Sequence, residues 1–361
     1  MKNTNKTFSL ITILIFAIIF SSQSMAGQQT GSIKLKPGHP QQYTVVKGDT
    51  LWDISGVFLD EPWYWPEIWQ VNPQIDNPHL IYPGDVLNLI YVDGRPYITR
   101  DKYGKRTVRL GPQIRYEELN KAIPTIPLDI IAPYLTENLI LNPNQYSASP
   151  YIVSINDDDH LAGSADSTIY VMGIGRENTH KDFGIYRRGQ VFRSPVNNQV
   201  LGYEAIYLGG AIMERPGNPA TLYVQSSKAE ILKGHRAIAI DNNQIVDANF
   251  LPKKGTINRP GNIVGVLTNG RQPGVSIVGA MDVVIIDLGS EDGVEKGDVL
   301  NIYKKGNTVK DPLVNNKLIK LPDEKSGNLM IFRTFNRLSY ALVMDADRML
   351  RVGDVLHSPT E

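Results

Sequence analysis

The sequence predicts an α+β protein in which a small strand–helix–helix–strand module precedes a mainly β body of small barrel-like modules. Three observations support this fold class. Residues 43–89 have two strand-like ends around a helical middle, short β-branched and aromatic runs recur from Tyr151 onward, and two parts of that body resemble each other. At 361 residues the chain is long enough for two to three compact units.

The N-terminal end has the pattern of a cleaved signal peptide. Lysines precede an apolar run at 8–20, and small Ser24 and Ala26 precede the expected cleavage site, so residues 1–26 are predicted to be removed. The run is shorter than the roughly 20 residues that span a bilayer, although an uncleaved anchor is the alternative. We therefore expect a periplasmic protein whose mature chain has no transmembrane span.

A linker and a compact module follow. Residues 27–42 have the polar composition of a linker, and the module is predicted at 41–97. A strand at 43–46 turns at Gly48-Asp49, and Thr50 with Asp53 forms a capping box that begins a helix. The predicted buried face of that helix consists of Leu51, Ile54, Ser55 and Phe58.

The second half of the module returns the chain to its first strand. Pro66 suits the first turn of a second helix, which we expect to end at Asn72. A turn at 83–85 precedes a strand at 86–89. Between the helices lies a Trp-rich stretch, residues 60–65, whose Trp63 and Trp65 could stack on a sugar or pack in the core; packing is favoured because buried aromatics are usually core residues.

Antiparallel pairing of the two strands would bring two turns together. Residues 48–50 and 78–84 would then line a shallow groove that offers backbone N–H and C=O groups. The side chains of Leu51, Leu80 and Ile81 would cover a sugar ring and an acetyl methyl group. Such a groove, with few polar groups on an apolar floor, suits a neutral N-acetylated glycan.

The pattern Y-x-V-x-x-G-D-T-L-W-x-I-S, then W-x-x-N, then N-P-x-x-I-x-P-G-D-x-L closely resembles the LysM family. This resemblance implies a βααβ module that binds polymers of N-acetylglucosamine such as peptidoglycan. It also implies that the glycan-binding residues are Gly48, Asp49, Thr50, Leu51, Pro78, His79, Leu80 and Ile81. The Trp-rich stretch at 60–65 is where the sequence departs from the family.

The whole chain resembles a narrower family. The signal peptide, the LysM form with its Trp-rich stretch, and glycine turns at 293–299 and 352–356 are similar to the type IV pilus secretin-associated (TsaP) family. The C-terminal part resembles the C-terminal domain of FlgT, a flagellar outer-membrane ring protein. The resemblance implies a link between peptidoglycan and an outer-membrane secretin ring, with multiple copies around that ring.

The body divides into a connecting α+β segment at 98–165 and β-rich modules at 166–270 and 271–361, the second of them FlgT-like. The connecting segment contains a basic cluster that begins at Arg100, interpreted as a solvated hairpin with contact to an acidic partner as the alternative, and a short helix at 129–135. Three pairs of segments suggest a duplicated unit, with chance similarity as the alternative. They are 184–191 with 293–299, Gly202 with Gly327, and Val224–Gly234 with Val343–Gly353.

Charge and composition exclude several classes of function. Lys plus Arg equals Asp plus Glu at 37 each, so nucleic acid is not an expected partner, and the absence of cysteine excludes disulfides and thiolate chemistry. Between residues 43 and 93 only Lys47 opposes eight acidic side chains, so charge attraction to an anionic wall does not explain binding. The eight are Asp49, Asp53, Asp60, Glu61, Glu67, Asp76, Asp85 and Asp93.

A wall-remodelling enzyme is the main rival interpretation. The six histidines form no paired zinc signature, and Asp157-Asp158-Asp159-His160 lacks the spacing of a calcium loop. Two carboxylates of a glycosidase would leave no spacing signature, so that possibility stays open. We expect a non-enzymatic adaptor with no catalytic residues, metal or cofactor, and the alternatives are a LysM-targeted wall enzyme and a flagellar ring component.

Overall fold

The computed structural model describes residues 33–69, 81–100, 124–156, 161–240, 251–267 and 277–359. The expected signal peptide, the end of the second LysM helix, most of the basic cluster and the Asp157–His160 run lie outside these residues. Within them, no helix combines the length and hydropathy that crossing a bilayer requires.

The N-terminal module has the predicted strand–helix–helix–strand order. Strand β1 (Gln42–Thr44) pairs antiparallel with β2 (Val86–Val92), which continues into β3 (Arg95–Arg100). Helix α1 (Leu51–Phe58), a 3₁₀ turn (Pro62–Tyr64) and α2 (Trp65–Ile68) pack on this sheet. The shared core contains Val45, Leu51, Ile54, Phe58, Leu59, Trp65, Ile68, Trp69, Ile81, Leu87, Leu89 and Ile98.

Local sequence signals account for both helices. The backbone N–H of Thr50 donates to Asp53 Oδ2 over 3.0 Å and that of Asp53 donates to Thr50 Oγ1 over 3.1 Å, which confirms the capping box. Pro66 lies in the first turn of α2, as predicted. The predicted buried face of α1 is also confirmed, and Trp52 extends it.

The connecting segment forms a short helix, a strand and a second helix. They are α3 (Leu128–Thr136), β4 (Leu139–Leu141) and α4 (Pro143–Ala148), so the helix predicted at 129–135 is confirmed. The half-buried Arg333 guanidinium donates to the carbonyls of Tyr134 and Asn138 at the end of α3, over 2.7 and 2.9 Å. This arginine satisfies carbonyls that a helix end leaves unpaired.

The first barrel lies between residues 151 and 239. Its strands are β5 (Tyr151–Ile155), β6 (Ala162–Gly163), β7 (Thr168–Met172), β8 (Asp182–Arg193), β9 (Val200–Arg215), β10 (Ala220–Ser227), β11 (Ile231–Leu232) and β12 (Arg236–Ala239). Six of these described strands close in the order β10-β7-β5-β12-β8-β9, because β9 also pairs with β10. Strands β6 and β11 form a small ribbon beside them.

The second barrel repeats this arrangement between residues 261 and 357. After β13 (Lys253–Lys254), its strands are β14 (Gly261–Leu267), β15 (Ile277–Val278), β16 (Val283–Ile286), β17 (Asp298–Lys304), β18 (Thr308–Lys310), β19 (Leu318–Lys320), β20 (Glu324–Thr334), β21 (Ser339–Ala346), β22 (Leu350–Arg351) and β23 (Val355–His357). A 3₁₀ turn (Ser290–Asp292) precedes β17. The closed order is β21-β16-β14-β23-β17-β20, and β15 pairs with β22 as a ribbon.

The two barrels therefore share one topology, strand for strand. Six strands of each barrel correspond in chain order: those of the first are β5, β7, β8, β9, β10 and β12, and those of the second are β14, β16, β17, β20, β21 and β23. The expected match of Val224–Gly234 with Val343–Gly353 is confirmed. Both valines precede a bulge, and both glycines have positive φ, +85° and +101°.

The other two sequence matches were wrong, although the duplication is real. The register pairs Ile185 with Gly209 and Ile302 with Gly327, so Gly209, rather than Gly202, corresponds to Gly327. Likewise residues 184–186 correspond to 301–303 and not to the turn that begins at Gly293. Glycine turns recur throughout a β-rich chain, so glycine spacing alone cannot fix the strand register.

Barrel closure also places the module limits. The first barrel begins with β5, which lies in the segment expected to be connecting (98–165), because β12 needs β5 as its neighbour. The second barrel takes β14 from the range expected for the first module (166–270), because β14 pairs with β16 and β23. These pairings join residues far apart in the chain and leave no local signal.

The outer face of the second barrel is apolar and buried, as is its interior. Alternate residues of β16, β20 and β21 enter the barrel, and their neighbours enter a separate central cluster outside it. The outward set contains Val283, Ile285, Met330, Phe332, Tyr340, Leu342 and Met344. This face is covered by three pairs of side chains: Trp52 and Trp63 of the LysM module, Ile131 and Tyr134 of α3, and Phe192 and Leu201 of the first barrel.

Phe192 and Leu201 reach the second barrel on a long hairpin. Strands β8 and β9 extend past the first barrel, and we call residues 186–209 the first hairpin. Phe192 lies against Gly265 of β14, where an added Cβ would come within 2.8 Å of the Phe192 ring. A small residue at 265 is therefore required for this contact.

Replacement of Phe192 by alanine tests how strongly the first hairpin couples the two barrels. Phe192 is 1% exposed, and the loss of a buried Phe side chain costs about 3–5 kcal/mol. We expect a loss of this size in the free energy of unfolding measured with denaturant. Val196→Ala at the 86% exposed tip should change it by less than about 0.5 kcal/mol. A loss below about 1 kcal/mol for Phe192→Ala would contradict this packing.

Glu204 gives the stability of the first barrel a pH dependence. Burial raises the pKa of this carboxyl, which accepts a 3.0 Å hydrogen bond from the Gln190 N–H. Because the folded pKa is above the unfolded value of about 4.3, ionisation of Glu204 reduces stability as pH rises through the folded pKa. Glu204→Gln should therefore raise the melting temperature at pH 8 and leave it unchanged below the unfolded pKa. The exposed Glu214→Gln is the control, and an equal gain at low pH would contradict this cause.

Candidate glycan-binding site

The β1–β2 pairing brings the two predicted turns together. Tyr43 lies opposite Leu87, and beyond the paired strands Val45 donates to the Asp85 carbonyl over 2.9 Å. The Gly84 N–H donates back to the Val45 carbonyl over 2.8 Å. The turn after β1 and the turn before β2 are thus neighbours, as the sequence predicted from antiparallel pairing.

The first turn is closed by the carboxylate of Asp49. Its Oδ2 accepts from the Tyr43 hydroxyl over 2.9 Å and from the Val46 N–H over 2.8 Å. Gly48 has φ +103°, a conformation that L side chains rarely adopt, and it is exposed with no other heavy atom near its missing Cβ. Asp49 therefore shapes the turn, and Gly48 presents its backbone to solvent.

The second turn is closed in the same way by Asp85. Its Oδ2 accepts from the Tyr82 N–H over 3.0 Å and forms a 3.2 Å ion pair with Arg100. Gly84 has φ +94°. Each turn therefore consists of a positive-φ glycine followed by an aspartate that bonds three residues back, which is the repeated Gly-Asp pattern of the sequence.

The beginning of α1 is occupied by another part of the chain. The backbone N–H groups of Leu51 and Trp52 donate to the carbonyls of Pro124 and Thr125, over 3.0 and 3.2 Å. The first N–H groups of a helix have no partner within the helix and are available to outside acceptors. Here residues 124–125 provide those acceptors, so these N–H groups do not face an open groove.

The eight predicted site residues divide into three sets. Gly48 is exposed and Asp49 is half-buried, at the surface of the first turn. Thr50, Leu51 and Ile81 are buried, and Leu51 and Ile81 belong to the module core. Leu51 and Ile81 therefore leave almost no surface with which to cover a sugar ring, although both were expected to contribute to the apolar floor. Pro78, His79 and Leu80 lie outside the described residues.

The Trp-rich stretch packs inside the protein, as favoured from the sequence. Trp65 lies in the module core, whereas Trp63 and the preceding Trp52 lie in the central cluster against the second barrel. The Trp52 and Trp63 rings are 6.4 Å apart, and Lys325 of the second barrel lies 5.9 Å from the Trp63 ring. Sequence reasoning missed Trp52 as a docking residue, because Trp52 lies outside the buried face that helical spacing predicts for α1.

Comparison with known proteins supports the assignment of this module. Residues 43–89 match the model of the LysM domain. Over 60 residues the chain is 42% identical to the uncharacterized protein YqbP of Bacillus subtilis (strain 168), a match that covers 14% of this chain and 27% of that relative. The similarity is therefore confined to about a quarter of that protein. The chain contains a LysM domain, a binding module for peptidoglycan and related glycans, at residues 43–89.

Proposed function

We propose that this protein is a non-enzymatic periplasmic adaptor that binds N-acetylglucosamine-containing peptidoglycan and anchors or aligns the outer-membrane secretin of a type IV pilus. The LysM domain is the observation that carries the wall-binding half of this proposal. The secretin half is supported by the sequence resemblance to the TsaP family and by the FlgT-like C-terminal region. The predicted signal peptide at residues 1–26 supports export.

We propose that the glycan contacts the solvent side of the two turns. Gly48 provides exposed backbone at the first turn, with the half-buried Asp49 beside it, and Pro78, His79 and Leu80 belong to the second turn by sequence. Thr50, Leu51 and Ile81 then support the site from within the core. Backbone groups suit a neutral acetamido substituent, because the module carries many carboxylates and would repel an anionic polymer.

The second half of the chain provides a closely packed body for the other partner. The LysM domain is fixed to the second barrel by Trp52 and Trp63, and the first barrel is fixed to it by Phe192. A single weak glycan contact per chain becomes firm when several copies act together on one assembly. Rigid coupling of wall and partner sites is what an aligning adaptor requires.

Gly48→Val tests the glycan turn. Val at φ +103° strains the turn, and its side chain would cover the exposed backbone. Binding of the mature chain (residues 27–361) to purified peptidoglycan sacculi should therefore weaken at least about tenfold. Co-sedimentation measures the affinity. Gly94→Val is the matched control, because Gly94 has φ +79° with equally open surroundings but lies in the β2–β3 turn. Equal binding by Gly48→Val and wild type would contradict the site.

Affinity capture from detergent-solubilised envelopes tests the secretin partner. The mature chain should retain a secretin, and Gly48→Val should retain it equally well, because partner binding is assigned to the barrels. Muropeptide release by the purified chain would instead favour the wall-enzyme alternative. Capture of flagellar ring components without a secretin would contradict the pilus assignment.

A further inference from the structure

The second barrel carries a hairpin that corresponds to the first hairpin, and among the described residues its strands β18 and β19 pair only with each other. Residues 303–327, which we call the second hairpin, join β17 to β20 and include β18 and β19. They correspond to residues 186–209, because Tyr303 matches Tyr186 and Gly327 matches Gly209 in register. The two hairpins are thus equivalent extensions of equivalent barrels, with nearly equal length.

The tips of the two hairpins are also alike. The first tip has the sequence Ser-Pro-Val-Asn-Asn-Gln at 194–199, and the second has Asp-Pro-Leu-Val-Asn-Asn-Lys at 311–317. Both tips close with a 2.9 Å bond from the backbone N–H of their first residue to the carbonyl of their last. The two tips therefore serve as reference points from which the flanking strands of the two hairpins can be compared residue by residue.

This alignment identifies the counterparts of Phe192 and Leu201. Phe192 precedes the first tip by two residues and Leu201 follows it by two, and Val309 and Ile319 hold the same places around the second tip. Val309 and Ile319 are directly paired across the strands, so they share one face. Phe192 and Leu201 are buried on the second barrel, whereas Val309 and Ile319 are 39% and 41% exposed.

The first barrel has an outer face equivalent to the one that, on the second barrel, shares the central cluster with Phe192 and Leu201. In the second barrel Ile285, Met330 and Leu342 are fully buried in the central cluster. The register places Tyr170, Ile212 and Tyr223 at the corresponding positions of the first barrel. These three are half-buried, and none of the buried clusters of the described residues includes them.

Charge also favours contact between these two surfaces. The second hairpin carries Lys310, Lys317 and Lys320, with Asp311 as an acidic neighbour at the tip and Asp323 3.9 Å from Lys320. Near Tyr223 the first barrel has the exposed carboxylates of Asp166 and Glu214, and Arg215 there donates to Thr221. Opposite charges around an apolar contact orient two partners and speed their encounter.

We propose that the second hairpin of one copy docks on the outer face of the first barrel of a second copy, as the first hairpin docks on the second barrel within the chain. The contact is head-to-tail, since the hairpin and the face that it uses are different surfaces of the molecule. Such heterologous contacts extend into closed rings or open filaments. The contact involves no glycan residue and is independent of wall binding.

Sedimentation velocity of the mature chain over a concentration series tests the contact, in buffer without glycan. Wild type should associate reversibly. Val309→Asp with Ile319→Asp, and separately Ile212→Asp with Tyr223→Asp, should each weaken association at least about 30-fold, as expected when central apolar anchors are lost. Melting temperatures near the wild-type value show that each variant folds, and a wild type that stays monomeric would overturn the proposal.

Mixing the two double variants distinguishes head-to-tail contact from a symmetric one. Each variant alone lacks one half of the contact, but together they retain one intact hairpin and one intact face. The mixture should form heterodimers and stop there, and a mixture that stays monomeric would overturn the proposal.

Leu313→Asp is the matched control on the same hairpin. Leu313 lies at the tip and is 92% exposed, as Val196 is at the tip of the docked first hairpin, so the tip is outside the proposed contact. This variant should associate like wild type. If it abolishes association as fully as the Val309–Ile319 variant does, the tip makes the contact and the proposed geometry is wrong.

Discussion

The apolar outer face of the second barrel is the constraint on which the arrangement of the whole chain depends. A strand that carries large apolar side chains on both faces needs cover on both, because exposed contiguous apolar surface is unfavourable in water. Here the interior is filled by the barrel itself, and the outer face is covered by three separate parts of the chain: the LysM module, α3 and the first hairpin. The LysM module and the two barrels are thereby packed around one central cluster instead of being separate domains joined by linkers. The Arg333 bonds to the end of α3 add a polar fixing point at the edge of that cluster.

This packing changes how the LysM module presents itself. Trp52 and Trp63 face the second barrel, and residues 124–125 accept the first N–H groups of α1, so one side of the module is committed to the rest of the chain. The remaining surface around Gly48 stays open. A module held in this way has a defined orientation relative to the barrels, which suits a protein that transmits position between two attachments and differs from a module on a flexible tether.

Some parts of the fold followed directly from short-range sequence signals. These features depend on residues within a few positions of each other: the capping box of Thr50 and Asp53, the turn-forming Gly-Asp pairs, Pro66 in its helix, and α3. The barrel limits and the repeat alignment could not be predicted in this way, because they depend on the pairing of β12 with β5 and of Ile302 with Gly327, which are distant in the sequence. Of the site residues, the turn geometry at Gly48 and Asp49 and the burial of Leu51 were predictable, whereas the burial of Ile81 depended on packing by distant segments.

The sequence by itself determined that the chain contains a LysM module followed by a β-rich, duplicated body, because motif spacing and β-propensity are local properties. Only the tertiary structure decided which strands close each barrel, which face of the module stays open, and that the first hairpin is docked while its counterpart is exposed. These outcomes depend on non-local strand pairing and on the burial of apolar surfaces against distant parts of the chain. The same alternation of apolar residues that predicts a strand cannot say what will lie against its second face.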